Sequence, residues 1–311
     1  MEEHRGPRGV FPMLYAFFDE RGALDRRAFR QQVEAVLASG AHGVAVLGLM
    51  TEVGALSPTE RRTLVDWAVE DIAGRAPLMA TVAGSNLSET VALARAAEAA
   101  GADMLIVQPP LGARPDEREL ADYFSSAMRA TALPTGIQNA PDYLSVGLGA
   151  EAVKRLASAH ANFALMKAEG AVAVVKPYID LLGRAVAIFN GRGGLELPDN
   201  LRAGAAGIVP APDCADVQAT IFAAWQASDE ERMDALYEAI LPYVVFAMQT
   251  LTVAIVCGKR MFARRAGIEN DCSCRIVRDP LGPFFDDAMR RWSARFGPYG
   301  RAAEGRPPIS T

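Results

Sequence analysis

Leu78-Met-Ala-Thr-Val82, then Asn86 to Ala100, then Met104-Leu-Ile-Val107 is the stretch that decides the fold. The two short runs are almost continuously apolar, as expected of strands buried on both faces in a parallel sheet with helices outside. The segment between them reads as a helix, so the three pieces form one strand, helix, strand unit. Proline and glycine punctuate each junction around it.

The same unit recurs in both directions. Toward the N-terminus, Gly43 to Leu47 is a strand with the exit loop Gly48-Leu-Met-Thr-Glu52. The helix behind it opens on a capping box, with Ser57 as cap, Pro58 at the first position and Glu60 at the third. Before that, Val10 to Phe18 is the opening strand, Asp19-Glu-Arg-Gly22 its turn, and Asp25 the cap of a helix ending at Gly40. Toward the C-terminus come a helix from Glu117 to Ala130, strand five at Pro134 to Asn139, the loop Ala140-Pro-Asp-Tyr143 and a helix from Ala150 to Ser158. Strand six lies in Ala161 to Gly170, Val172 to Leu182 is a helix, and Ala185 to Phe189 is strand seven. Gly204-Ala-Ala-Gly207-Ile-Val209 is strand eight, with a tight glycine approach.

Eight regular repeats favour closure into an α/β (β/α)8 TIM barrel over a doubly wound open sheet. Helices alone follow: Ala215 to Ala227, Glu230 to Thr250, Val253 to Ala266 and Phe284 to Phe296. Helices in succession cannot extend the barrel. The expected division is therefore a barrel over residues 1–228 and a C-terminal helical appendage over 229–311, with Gly297 to Thr311 a loosely held tail.

In 311 residues, half are apolar and the net charge is −5, which gives a substantial core and no basic footprint for nucleic acid. Cys214, Cys257, Cys272 and Cys274 lack metal-ligand spacing and read as reduced, mostly buried thiols. His4, His42 and His160 sit beside no carboxylate pair, so no histidine-based metal or triad chemistry is expected. The N-terminus lacks an apolar signal region, and no purely apolar stretch reaches 18 residues, so a cytoplasmic protein with no membrane partner is expected.

Only four of the 32 basic residues are lysines, and Lys167 is the unusual one. Phe163, Leu165 and Met166 precede it and Glu169-Gly170 turns the chain afterwards, so its amine emerges where a strand leaves a packed core. An apolar surround penalises a charged amine, and a neutral lysine amine attacks ketones. The alternative is a lysine that merely snorkels out of the strand end. In such barrels the chemistry lies at the carboxyl ends of strands. There this chain has Thr51 and Glu52, Gln138 and Asn139, Lys167 and Glu169, Asn190 and Arg192, and Ile208 with Val209. One nucleophilic amine among small polar groups suits imine chemistry on a keto acid.

Gly9-Val-Phe-Pro12, Asp19-Glu-Arg-Gly22, Val46-Leu-Gly-Leu-Met-Thr-Glu52 and Leu56-Ser-Pro-Thr-Glu-Arg61 are distinctive together, as are Asn139-Ala-Pro141, Met166-Lys-Ala-Glu-Gly170, Gly204-Ala-Ala-Gly207 and Arg278-Asp-Pro-Leu281. Over nearly its whole length the chain resembles the dihydrodipicolinate synthase and N-acetylneuraminate lyase family of Schiff-base barrels. The resemblance implies a homo-oligomer, tetramer or dimer, whose Lys167 forms an imine with pyruvate or another small keto acid and which needs no further cofactor.

Some positions depart from that family. The lysine-pathway synthases place a proton-relaying tyrosine where Gln138 stands, and an amide cannot shuttle a proton as a phenol does. They place two tyrosines where Pro110 and Leu111 stand, and a carboxylate-gripping arginine where Tyr143 stands. Their Gly-Thr-Thr-Gly-Glu loop is altered here, leaving Thr51, with Met50 and the loop amides, to hold the keto acid's carboxylate. The pattern is similar to the branch that includes L-2-keto-3-deoxyarabonate dehydratase. By that likeness Lys167 is the Schiff-base lysine, Gln138 and Glu169 assist it, and Glu52, Asn139, Asn190, Ile208 and Val209 line the substrate site.

The leading expectation is a class I lyase that dehydrates or cleaves a 2-keto-3-deoxy sugar acid. The rivals are a 4-hydroxy-tetrahydrodipicolinate synthase, condensing pyruvate with aspartate semialdehyde, and an inactive keto-acid-binding barrel.

Overall fold

The structure, a computed structural model, describes residues 6–183, 185–276 and 281–300. His4 and most of Arg278-Asp-Pro-Leu281 lie outside the described residues.

In chain order the first elements are β1 (Gly9–Val10), α1 (Arg26–Ala38), β2 (Val44–Val46), α2 (Pro58–Ile72), β3 (Leu78–Val82), α3 (Leu87–Ala100), β4 (Met104–Val107) and α4 (Glu117–Met128). Then come β5 (Thr135–Asn139), α5 (Pro141–Leu144), α6 (Ala150–Ala159), β6 (Phe163–Ala168), α7 (Val172–Leu182), β7 (Ala187–Asn190), α8 (Leu197–Ala203) and β8 (Gly207–Ile208). The chain finishes with α9 (Ala215–Gln226), α10 (Glu230–Ala247), α11 (Leu251–Ala266) and α12 (Pro283–Phe296).

The eight strands run in the order β1-β8-β7-β6-β5-β4-β3-β2, each pair parallel. A parallel bridge between Met13 and Ala45 joins the remaining edges. Leu14 N–H donates to Ala45 O at 2.8 Å and Ala45 N–H to Pro12 O at 2.9 Å, closing a (β/α)8 barrel. The seam at β1 and β8 is tight, since a Cβ on Gly207 would lie 1.9 Å from Gly9 O.

Side chains alternate across each strand. Phe11, Met13, Met79, Ile106, Leu165 and Phe189 fill the barrel interior, while Val46, Val107 and Met166 pack outward against the helices. A third cluster joins Val10 and Ile208 to Phe222, Ile240, Tyr243 and Met289, so the C-terminal helices rest on the β1 and β8 side.

Local chemistry sets most helix starts. Asp25, Asn86 and Asp116 accept from backbone amides in the first turns of α1, α3 and α4, and Ser57 with Glu60 forms the expected reciprocal box on α2.

Differences from the sequence expectation are concentrated at proline, glycine and threonine. The ladder of β1 covers only Gly9–Val10, because Pro12 has no N–H to donate and the following residues pair only at isolated bridges. The loop Ala140 to Tyr143 instead contains the short helix α5. Three glycines flank α8 on its upstream side and obscure it in the sequence, while Pro198 fits its first turn. Gly204 does not begin β8: it ends α8 in the left-handed region, at φ 102°. Thr250 does not close α10 either, since its hydroxyl accepts from Val253 N–H and caps α11.

The start of the expected loose tail is firmly held. Tyr299 N–H donates to Arg265 O at 2.9 Å, and Gly300 N–H to Asp216 at 3.0 Å. All four cysteines are free thiols, and no helix among the described residues is long and apolar enough to cross a membrane.

Candidate active site

Lys167 is the fifth residue of β6 and shares inward direction with Leu165 two positions earlier, so it stands at the carboxyl end of the barrel interior. In register it pairs Gln138 of β5 on one side and Phe189 of β7 on the other. Its Nζ lies 3.2 Å from Glu169 Oε1. The other carboxylate oxygen accepts from Gln138 Nε2 at 2.6 Å. A lysine, carboxylate and amide chain results, with relative exposures of 5%, 8% and 1%. The amine therefore rests against a carboxylate, not in the wholly apolar surround that the strand sequence implies. Gln138 Oε1 is buried with no hydrogen-bond partner among the described residues. Gly191 is what admits the carboxylate, because a Cβ there would lie 2.1 Å from Glu169 Oε1.

Lys167 and Glu169 open into a cavity of about 620 Å³ that includes the open solvent at its mouth. Met13, Leu49, Met50 and Val209 form its barrel side. Tyr143, from α5, and Arg192, from the turn after β7, line it as well. Burial raises the Tyr143 phenol and the nearby Glu169 charge adds to the rise, against a hydrogen bond to Arg192, so it remains a proton donor near neutral pH. Arg192 has φ 50°, followed by Gly193 and Gly194 also in the left-handed region, and its Nη1 reaches Glu196 Oε1 at 3.0 Å. A non-glycine residue held there marks a constrained loop. The cavity thus has a guanidinium, supplied by the β7 turn instead of the β5 loop. Asp213 and Tyr243 close the far wall; burial raises the Asp213 carboxyl, which accepts from Tyr243 OH at 2.5 Å.

Of the positions nominated from sequence, Lys167, Glu169, Met50 and Val209 line this cavity, and Gln138 touches it through Glu169. The others brace it. Thr51 donates to Leu14 O at 2.6 Å and accepts from Leu47 N–H at 3.1 Å, so its hydroxyl is committed to the backbone and does not line the cavity. Glu52 takes Lys259 Nζ at 2.6 Å and the Arg275 and Ile276 amides on its second oxygen, which places it in a buried tie and outside the cavity walls. Asn139 clasps both backbone groups of Leu148, and Asn190 bonds Gly170 O, Asn200 and its own neighbour Gly191. Ile208 packs outward with Val10.

Tyr143 and Arg192 were visible as strand-end residues, and Asp213 shortly follows β8. Nothing in the sequence shows which face of α10 or α11 meets the barrel mouth.

Fold and site together define a class I aldolase-type lyase, a barrel with its lysine at the carboxyl end of the sixth strand. The dihydrodipicolinate synthetase family model matches residues 6–294, and the chain belongs to that family. A 4-hydroxy-tetrahydrodipicolinate synthase from Methanothrix thermoacetophila is 29% identical over 284 residues, 90% of this chain and 92% of that one. The 4-hydroxy-tetrahydrodipicolinate synthase structure from Methylacidiphilum fumariolicum SolV superposes with a TM-score of 0.85 at 23% identity, covering 92% and 95% of the two chains. A prophage protein of the dihydrodipicolinic acid synthase family from E. coli K12, solved in complex with pyruvate, gives 0.85 at 21% identity over 92% and 97%.

Proposed function

We propose that this protein acts on a 2-keto acid through an imine on Lys167, and breaks the bond to a substituent at C4 or between C3 and C4. The observation that carries this reading is the Lys167 amine, buried at the floor of the cavity 3.2 Å from a carboxylate. The free amine of Lys167 adds to the C2 carbonyl, and loss of water gives the protonated imine. In a cleavage, a base takes the C4 hydroxyl proton, the C3–C4 bond breaks, and its electron pair moves into the imine to leave an enamine and an aldehyde; the enamine then takes a proton at C3 to become the protonated imine of pyruvate. In a dehydration, C3 loses a proton and C4 expels hydroxide, which leaves as water once protonated. Water then hydrolyses the imine in either case and restores the lysine.

Glu169 is placed to exchange protons with Nζ, and Tyr143, close enough to Glu169 to feel its charge, is the phenol available in the cavity. Gln138 holds Glu169 in place. A 4-hydroxy-2-keto acid meets this requirement, the 2-keto-3-deoxy sugar acids among them, and dehydration or cleavage of such an acid is the leading reading. The names of relatives favour a second one, condensation of pyruvate with aspartate semialdehyde. It requires a free cation for the semialdehyde's carboxylate, whereas Arg192 is already engaged by Glu196. We take the working form to be a homo-oligomer needing no cofactor beyond the imine.

Turnover separates these readings. Substrate loss from 4-hydroxy-2-keto acids supports the lyase, whereas pyruvate consumption that depends on semialdehyde defeats it. Tyr143→Phe lowers kcat by about 10²–10⁴ while pyruvate is still trapped on Lys167, if the phenol moves protons. An unchanged kcat removes Tyr143 from the mechanism.

A further inference from the structure

The polar groups of the cavity are not evenly spread. Glu169 is bonded to Lys167 and its charge acts on Tyr143, which also neighbours Arg192, while another part of the lining comes from the end of α10 and the start of α11. It presents Val244, Ala247, Met248, Leu251 and Ala254, with Met50 continuing the surface from the β2 exit turn. None of these six side chains offers a strong hydrogen-bond donor or acceptor. The two polar side chains near that wall, Asp213 and Tyr243, are bonded to each other. Met248 also reaches the β7 turn, since a Cβ on Gly193 would lie 2.9 Å from its Sδ, so this wall closes over the cavity.

A keto acid anchored at Lys167 shares one cavity with that surface. A chain carrying a hydroxyl on every carbon loses water there and finds no replacement partners, whereas an aryl or branched alkyl group gains by burial. We propose that the substrate is a 4-hydroxy-2-keto acid whose group beyond C4 is apolar, aryl or branched alkyl, in preference to a polyhydroxylated sugar acid. The proposal rests on the imine reading of Lys167 and assigns the part of the substrate that reading leaves open. The chemistry is unchanged: C3–C4 cleavage yields pyruvate and an apolar aldehyde, or loss of water yields the conjugated unsaturated keto acid.

The test compares kcat/KM of the full chain, measured as substrate loss, on the aldol adducts of pyruvate with benzaldehyde and isobutyraldehyde and on 2-keto-3-deoxy pentonate and hexonate. The expected result is a preference of about 100-fold for the apolar adducts. Val244→Thr and Met248→Gln, near-equal in volume but polar, should reduce that preference about tenfold or more. Equal or better turnover of either sugar acid overturns the proposal, as does failure to turn over either adduct. Hydride trapping of pyruvate on Lys167, a ligand with no group beyond C3, is read alongside. Trapping with a sugar-acid preference sinks only the apolar assignment; no trapping sinks the imine reading itself.

Discussion

Lys167→Arg and Lys167→Ala each lose turnover by on the order of 10⁴ or more, because among the described residues no other amine lines the cavity. The two variants separate chemistry from structure. Alanine leaves Glu169 buried with Gln138 Nε2 as its remaining side-chain partner among the described residues, so its loss combines a missing nucleophile with a displaced carboxylate. Arginine keeps a cation beside Glu169, but a guanidinium stays protonated and does not form the imine. Equal inactivity in both, with near-native thermal unfolding for the arginine variant, assigns the effect to the amine. Residual activity above a few per cent in Lys167→Arg removes the imine from the account.

The largest effect on stability is expected far from the lysine. Glu52 and Lys259 are 207 residues apart and meet at 2.6 Å with both side chains fully buried. Lys259 also donates to Ser273 O at 3.0 Å and lies 5.1 Å from the centre of the Phe18 ring. Two desolvated charges in this arrangement contribute little net stability, but removing one leaves the other uncompensated. Lys259→Met should therefore cost about 3–5 kcal/mol, which lowers Tm by roughly 5–8 °C in a chain of this length. Lys259→Met with Glu52→Gln should recover part of that loss, since the unpaired charge is gone. Thermal melts of the two single variants and the double variant decide it. Additive losses show that the pair is not coupled. The turn that Glu52 ends also carries Leu49 and Met50 into the cavity, so the single variant should weaken substrate binding as well.

The barrel could be read because each strand is a short apolar run and each helix announces its start with a capping side chain. β3, β4 and α7 have the predicted residues, and the Ser57 box forms as written. The short β1 ladder and the late start of β8 were not readable, because Pro12 and Gly204 act through backbone geometry that hydrophobicity does not record. The site divides along similar lines. Lys167, Glu169 and Gln138 follow from position on adjacent strands. Thr51, Glu52, Asn139 and Asn190 carry the right chemistry at strand ends, but their partners, Leu14, Lys259, Leu148 and Asn200, are fixed only when the chain closes on itself. Short polar side chains next to exposed backbone are as useful for holding loops as for holding substrate. The apolar wall comes from α10 and α11, whose packing against the barrel mouth depends on the whole cluster around Val10 and Phe222.

Reduction by borohydride in the presence of pyruvate, followed by peptide mapping, tests the central claim most directly. A reduced adduct blocks tryptic cleavage at the modified lysine, so the peptide spanning residue 167 should appear uncleaved and heavier by the reduced pyruvyl group, and Lys167→Arg should show no such species. The same adduct on Lys154, Lys176 or Lys259, or an unmodified residue 167 at saturating pyruvate, contradicts the account.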